Sequence, residues 1–139
     1  MEDCIFCKLV KGEIPCSKVY EDEHCFAFLD INPVNHGHTL VIPKKHYETV
    51  LDMPEAEGVA LAKASVKLGK AVRKATGCEG INLLHNIGKA AGQLVSHAHV
   101  HLIPRFSHDT MRLGWDRKQY ESAGQQEEYR RKVEAAAKK

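Results

Sequence analysis

Residues 96–105, SHAHVHLIPR, place His97, His99 and His101 at alternate positions. In an extended strand the three imidazoles would share one face and the intervening apolar residues the other. The outer two would lie about 13 Å apart, too far for all three histidines to share one metal ion. Two neighbours could chelate one ion, since zinc binds imidazole nitrogen at about 2.0–2.1 Å. A polar strand face without chemistry is the plainer alternative, which the strict alternation disfavours.

The same residues suit attack on phosphorus. Neutral imidazole is a nucleophile near neutral pH, because its unperturbed pKa is about 6.5. His99 would have one neighbouring imidazole to protonate a leaving group and another to hold the strand and bias its tautomer. Backbone N–H groups of the AGQL segment, with the amides of Asn86 and Gln93, could meet the phosphate charge. This pattern indicates phosphoryl or nucleotidyl transfer.

A second cluster is the CIFC segment, whose Cys4 and Cys7 have the spacing that two thiolates need on one tetrahedral ion. Two free buried thiols are the simpler alternative, and a redox pair is less favoured without a thioredoxin-like βαβ pattern. The odd count of five cysteines, with no export signal, indicates reduced thiols. We therefore predict a cytoplasmic protein.

Composition limits the partners. The 139 residues suit one domain, and 43% hydrophobic with 27% charged residues is ordinary for a globular protein. The net charge of +2 is too small to indicate nucleic acid or an acidic membrane. No stretch approaches the roughly 20 apolar residues of a membrane span. Neither nucleic acid nor a membrane is an expected partner.

The elements that must position these residues follow from periodicity and turn signals. A long helix is predicted over about 52–76, with Asp52 and Glu55 as a capping box and Gly77 as its stop. A short helix is expected near the N-terminus, and the tail from Gln125 has helix formers with a weak apolar stripe. The ranges predicted as strands are 18–22, 24–30, 38–44, 80–86 and 96–104. This order predicts an α+β fold with an antiparallel sheet.

At these residues the sequence resembles the histidine-triad (HIT) family, in particular its Hint-like branch. HAHVHLI matches the signature His-φ-His-φ-His-φ-φ, and the resemblance extends upstream through VYEDEHCFAFLDINPVNHGHTLVIPKKH to IFCKLVKGEIP. It implies a five-stranded antiparallel sheet that is extended across a homodimer, a long helix, and short N-terminal and C-terminal helices. The corresponding division is a HIT domain over 1–110 and a tail over 111–139, whose helix packs on the domain or the dimer interface.

The resemblance also implies a function. A purine nucleotide would be cleaved between its nucleoside 5′-phosphate, with AMP expected, and a leaving group, through a nucleotidyl-histidine. By position, His99 would be the nucleophile, His101 the proton donor, and His38 a further histidine beside the triad. Asp30 would accept hydrogen bonds from the ribose, although it could equally be a turn residue. The base pocket would be formed by Phe6, Leu9, Phe28, Ile31 and Leu40, and the phosphate site by Asn86, Gly92, Gln93 and Leu94.

Plain core packing is the alternative for the aromatic and aliphatic residues of that pocket. The resemblance further implies that His46 and His97 complete a structural zinc site with Cys4 and Cys7. One position departs from the Hint branch, because Leu94 stands where Ser or Thr is usual. This weakens the case for a phosphoramidate over a dinucleoside polyphosphate as the preferred substrate.

Two other functions stay open. The protein could be a purine nucleotide sensor or scaffold with little turnover, although a pure binder has no need of a nucleophile. It could also be a zinc enzyme that holds a catalytic ion on two of the triad histidines. The sequence leaves the leaving group and the base specificity open.

Overall fold

The computed structural model describes residues 3–138. It consists in chain order of α1 (Ile5–Val10), β1 (Lys18–Glu21), β2 (Cys25–Leu29), β3 (Thr39–Pro43), α2 (Glu55–Thr76), β4 (Gly80–Leu84), β5 (Val100–Arg105) and α3 (Ala123–Ala137). The predicted order of helices and strands is confirmed, and the fold class is α+β. Among the described helices, none is long and apolar enough to cross a membrane. The cytoplasmic location stays a prediction.

The five strands form one sheet in the order β1-β2-β3-β5-β4, and every neighbouring pair is antiparallel. Because side chains alternate along β3, Val41 is buried on one face while Leu40 and Ile42 are buried on the other. The apolar stripe of α2 covers the first face, which we call the α2 face. Phe6 and Leu9 of α1 cover the second, the α1 face. The sheet therefore has a core on each side.

The long helix begins later than predicted, at Glu55, and Pro54 is its N-cap without a side-chain hydrogen bond. The capping box of Asp52 and Glu55 was therefore wrong. Thr49 and Asp52 instead form a capping box on a 3-10 turn over Val50–Asp52. The cause is Pro54, since the residue before a proline is biased toward extended backbone and Met53 has ψ 141°. The predicted stop at Gly77 is confirmed by its left-handed backbone.

The last strand also begins later than predicted, at Val100, so only His101 of the triad lies in a ladder. Pairing of β3 with β5 stops at Val41↔Val100. Beyond that pair, the N–H of Ala98 donates to Tyr47 O at 2.7 Å. The triad segment, residues 97–101, is thus held before Val100 by individual bonds, from Ala98 N–H to Tyr47 O and from His97 Nε2 to Pro43 O, although β3 stays paired with β2 as far as Pro43.

The tail contains α3, which begins after the N-cap Ser122 and has no buried residue. Ion pairs within the helix, such as Arg130 with Glu127 and Glu134, support it locally. The predicted packing of this helix on the domain or a dimer interface stays a prediction.

β4 is an edge strand of the sheet, and Leu83 on it is 47% exposed. Extension of the sheet across a dimer likewise stays a prediction.

Candidate active site and metal centre

His99 lies on the α1 face and is 7% exposed. Its Nδ1 is 2.7 Å from the backbone oxygen of His97. A carbonyl oxygen can only accept, so Nδ1 carries the proton and Nε2 keeps its lone pair. The rings of Phe6 and His99 pack in a T-shaped arrangement, with centroids 5.3 Å apart. The central imidazole is therefore fixed in the tautomer that a nucleophile needs.

His101 is in the opposite tautomer. The N–H of Val34 donates to His38 Nδ1 at 3.1 Å, so His38 carries its proton on Nε2. That Nε2 lies 2.9 Å from His101 Nδ1, which must accept, and His101 therefore keeps its own proton on Nε2. The ring centroids of His99 and His101 are 5.0 Å apart. A bare nitrogen and an N–H donor thus stand side by side, as attack and protonation require.

Burial favours the neutral forms of His38 and His101. Burial, followed by the neighbouring His99 and His38, lowers the pKa of His101 to about 4. Burial also lowers the pKa of His38, and the carboxylate of Asp30 opposes that shift. The hydrogen bonds above therefore join neutral rings. Leu84 on β4 pairs with His101, and His85 follows it closely enough that its charge lowers the pKa of His101, an influence the sequence did not reveal.

Asp30 follows β2 and has two uses. Its Oδ1 accepts from the N–H of Asn32 at 2.8 Å, which is the turn role considered for this residue. Its Oδ2 lies 3.6 Å from His38 Nε2, and the side chain is 20% exposed. One oxygen thus holds the turn while the other faces the histidines. A ribose contact by the second oxygen stays a prediction.

The five residues proposed for the base pocket divide into two groups. Phe6, Leu9, Phe28 and Leu40 are buried in the α1-face core, as the plain packing alternative requires. Ile31 is 89% exposed, so its side chain is free to contact a ligand. Phe6 belongs to both settings, because its ring also contacts His97 and His99.

Of the residues proposed for the phosphate site, Gln93 has an amide already engaged. Its Nε2 donates to Glu48 O at 2.7 Å and Val95 O at 3.0 Å, and its Oε1 accepts from the N–H of Gly88 at 2.8 Å. The side chain therefore braces the loop, and a side-chain contact to phosphate, which stays a prediction, would exchange one of these bonds. Gly92 in the same loop lies close to Asn86, and Leu94 is 95% exposed.

The four residues proposed for zinc come together between α1 and the triad segment. Ligand atoms of Cys4, Cys7, His46 and His97 all lie within 4.8 Å of one another. Nδ1 of His97 is 3.4 Å from the sulfur of Cys4 and 3.6 Å from that of Cys7, and Nδ1 of His46 is 3.4 Å from Cys7. A sulfur and a nitrogen on one tetrahedral zinc are about 3.6 Å apart. The donor set and its spacing fit zinc.

The tautomer of His97 supports that fit. Its Nε2 is 2.8 Å from Pro43 O and must donate, which leaves Nδ1 bare and directed at the thiols. Burial lowers the pKa of His97 to about 4, so the ring is neutral, as a ligand must be. The alternative of two free thiols does not explain why imidazole nitrogens of His46 and His97 lie next to the sulfurs.

Asp30, His38 and His101 form another group of potential metal ligands with atoms within 4.8 Å. A metal on His38 Nε2 would force the proton of that ring onto Nδ1, where Val34 N–H already donates. The group is therefore arranged to hold a proton. This geometry counts against a catalytic ion held by His101 together with His38 and Asp30.

Comparison with known proteins places this geometry in context. The sequence model of a family described as the HIT domain matches residues 11–108. The chain is 47% identical over 109 residues to adenylylsulfatase HINT3 of Arabidopsis thaliana, an alignment that covers 78% of this chain and 55% of that protein. It thus spans little more than half of that relative. It is 42% identical over 113 residues to adenosine 5′-monophosphoramidase hnt1 of Schizosaccharomyces pombe, covering 81% of this chain and 82% of that one.

Solved structures resemble the fold over almost the whole chain. A Streptococcus mutans protein superposes with a TM-score of 0.93 at 41% identity, covering 99% of this chain and 87% of the other. A histidine triad family protein from Mycobacterium smegmatis, described as Zn-bound, has a TM-score of 0.75 at 34% identity and covers 97% of this chain and 98% of its own.

Proposed function

The chain belongs to the HIT domain family, and on that premise we propose that it is a nucleotide hydrolase. It would release a nucleoside 5′-monophosphate, AMP in the first instance, from a phosphoramidate or a dinucleoside polyphosphate. One observation carries the proposal: His99 presents a bare Nε2 beside His101, which presents an N–H. Relatives named adenylylsulfatase and adenosine 5′-monophosphoramidase support the substrate class.

The reaction has two displacements at the same phosphorus. Nε2 of His99 attacks the α-phosphorus, and the bond to the leaving group breaks while His101 Nε2–H donates a hydrogen bond to the departing atom; a departing amine takes its proton from solvent. The product of this step is a nucleotide bonded to His99. Water then attacks that phosphorus, the bond to His99 Nε2 breaks, and the proton that the water loses passes to solvent. This restores His99 and releases the monophosphate.

The charge of the substrate would strengthen the hydrogen bond that His101 donates. The pKa of His101 is about 4 in the ligand-free protein, chiefly because the ring is buried. The neutral ring donates through Nε2–H, and a hydrogen bond to a phosphate anion is shorter and stronger than one to a neutral group. The His38 Nε2–H bond to Nδ1 keeps the other nitrogen of His101 directed at the substrate. His101 would therefore donate a stronger hydrogen bond when substrate is present.

Residues around the two histidines would bind the ribose, the base and the phosphate. Asp30 would accept from the ribose through Oδ2, and Ile31 would cover the base together with Phe6. Asn86, Gly92 and the backbone of Leu94 would hold the phosphate, within a loop braced by Gln93. These groups position the nucleotide while His99 attacks the phosphorus and His101 donates to the leaving group.

Zinc fits the four-residue cluster, and we assign it a structural role on Cys4, Cys7, His46 and His97. The support is the near-tetrahedral spacing of the donors and the Zn-bound relative. When bound, the ion supplies a fixed cross-link between α1 and the triad segment. The backbone oxygen of His97, which sets the tautomer of His99, belongs to a ligand residue, so the cross-link also supports the nucleophile.

The assembly would be a homodimer that extends the sheet across the exposed edge of β4. The edge position of that strand and the half-exposed Leu83 support this arrangement. The HIT domain would span 1–110, and the tail over 111–139 would find its packing partner on the domain or at the interface.

The test is intact-protein mass after rapid alkaline quench with adenosine 5′-phosphoramidate, for the wild type and His99→Ala. Alkali preserves phosphorus–nitrogen bonds to histidine. We expect an adenylyl increment in the wild type and none in the variant. Binding without AMP release or adduct, also with a dinucleoside polyphosphate, would overturn the hydrolase and favour the sensor.

A further inference from the structure

The loop between β2 and β3, residues 30–38, carries both Asp30 and His38. Its ends are joined by a hydrogen bond from Asp30 N–H to His38 O at 2.9 Å. Within it, His38 N–H donates to Asn35 O at 3.0 Å, and Val34 N–H donates to the ring of His38. The backbone of residues 34 and 35 thus contacts His38 on its main chain and on its imidazole.

Asn35 fixes this loop to the end of β5. Its Nδ2 donates two hydrogen bonds, one to Pro104 O at 2.8 Å and one to Asp109 Oδ2 at 2.9 Å. Pro104 lies three residues after His101 on the same strand. The side chain therefore ties the loop that carries His38 to the strand that carries His101.

The acceptor Asp109 is itself held rigidly. Its side chain is 5% exposed, and Arg105 grips both oxygens, with Nε to Oδ2 and Nη2 to Oδ1 each at 2.8 Å. Phe106 N–H adds a third donor at 3.0 Å. These donors hold the pKa of Asp109 far below its usual range, so it is a permanent acceptor. We call Asn35, Arg105 and Asp109 the Asn35 brace.

A partly buried ion pair of this kind gives little net stability, because its desolvation offsets its attraction. The effect of this ion pair is to hold Asn35 in a fixed position, through the hydrogen bond from Asn35 to Asp109. Moving Asn35 would move its neighbour Val34, whose N–H dictates that His38 is protonated on Nε2. The tautomer of His101 depends in turn on that proton.

We propose that the Asn35 brace is a positioning device for the proposed reaction, which sets the tautomers of His38 and His101 through the N–H of Val34. Its residues do not touch the reacting atoms. The inference rests on the proposed hydrolase function. Loss of the brace should leave His38 free to carry its proton on either nitrogen, so that His101 loses a fixed donor.

The test compares Asn35→Leu with the wild type by ¹⁵N-edited imidazole NMR and by steady-state kinetics with adenosine 5′-phosphoramidate. We expect the wild-type His38 signals to report one Nε2–H tautomer and the variant a mixture. We expect kcat to fall about ten- to hundredfold, as for misplaced catalytic groups, with KM changed less than about threefold. Asn35→Ser, which also leaves Arg105 and Asp109 intact, serves if the leucine variant does not fold.

The matched control is Asn32→Leu, the same substitution at an exposed position of the same loop, where Asp30 uses the backbone N–H. It should keep the wild-type tautomer and kcat. An unchanged His38 tautomer in both Asn35 variants would overturn the inference, as would an altered tautomer with normal kcat. A wild type that does not turn over fails the proposed function instead, while the NMR comparison still decides whether the brace sets the tautomer.

Discussion

Three imidazoles of the same segment differ chemically because each has a different fixed neighbour. Pro43 O leaves His97 with a bare Nδ1, directed at the thiols. The oxygen of His97 leaves His99 with a bare Nε2, and His38 leaves His101 with a proton there. Two of these three neighbours are backbone oxygens. Residue type therefore marks where chemistry is possible, while the local backbone decides which chemistry each ring performs.

The exposed Leu94 allows a test of substrate preference at the residue scale. Its side chain is 95% exposed, so Leu94→Ser should cost little stability. A hydroxyl could bond a scissile phosphate or a leaving nitrogen, and one such bond is worth about 0.5–1.5 kcal/mol, or roughly two- to tenfold. We expect kcat/KM for adenosine 5′-phosphoramidate to rise by that factor.

Leu94→Ala is the control, since it removes the leucine without adding a hydroxyl. The measurement is kcat/KM for the phosphoramidate and for a diadenosine polyphosphate with all three proteins. An equal rise in the alanine variant, or none in the serine variant, would count against a role for the hydroxyl.

At the scale of elements, the sequence predicted what periodicity and short motifs encode. The strands around Val41 and Leu102 and the helix stop at Gly77 follow from such local patterns, whereas the convergence of Cys4 with His97 was implied by the family resemblance. The predictions were wrong where a contact with a distant residue or with the backbone determines the local structure. The triad segment was predicted as a strand throughout, yet its pairing with β3 ends at Val41↔Val100, which no feature of SHAHVH reveals.

The candidate active site was likewise predicted in part, and its contacts between distant residues were missed. His38, His99 and His101 were expected together, and they are together. The engaged amide of Gln93 was not foreseen, because its partners are main-chain groups as distant as Glu48. The brace of Asn35 with Asp109 joins residues 74 positions apart, and a single sequence carries no signal for such a pair.

The position of the 30–38 loop against α2 gives a prediction at this scale. Gly37 has φ +99°, and a Cβ there would lie 2.6 Å from Thr76 Cγ2. Gly37→Ala should therefore lower the free energy of unfolding by about 1–3 kcal/mol, through backbone strain and the clash with the helix. Urea unfolding measures the change.

Gly12→Ala separates the two causes, since Gly12 also has positive φ, +78°, but a Cβ there would have none of the described residues within 4 Å. It should lose only the backbone component, about 1 kcal/mol. Equal losses in the two variants would show that the loop does not press on Thr76.

For the whole molecule, buried neutral histidines make stability depend on pH. The pKa of His101 is about 4 in the folded state, against an ordinary value of about 6.5 when unfolded. Between these values the unfolded chain binds more protons, so stability is full above pH 6.5 and is lost as pH falls toward 4. The lowered pKa of His38 acts in the same direction. His101 alone corresponds to about 3 kcal/mol at most.

Urea unfolding between pH 7.5 and pH 4.5 measures this loss, and His101→Gln should flatten the curve. His108→Gln, at an exposed histidine, should leave the slope unchanged. A His101→Gln curve as steep as that of the wild type would show that the burial of this ring is not what acid disturbs.

The metal cluster joins parts of the chain that are far apart in sequence. Cys4 and Cys7 belong to the α1 segment, while His97 lies two residues before the nucleophile His99. We expect one zinc per chain after purification without chelators, and a clear fall in the thermal midpoint when His46→Ala removes one ligand. Cys16→Ser is the matched control, because Cys16 packs against the same α1-face core but lies outside the cluster. Activity should decline with unfolding and not at once on chelation, because His99 and His101 act on the phosphorus without the ion. Well under one zinc per chain, with a normal thermal midpoint, would instead make Cys4 and Cys7 ordinary thiols and leave the bond from His99 to His97 to be held by the protein alone.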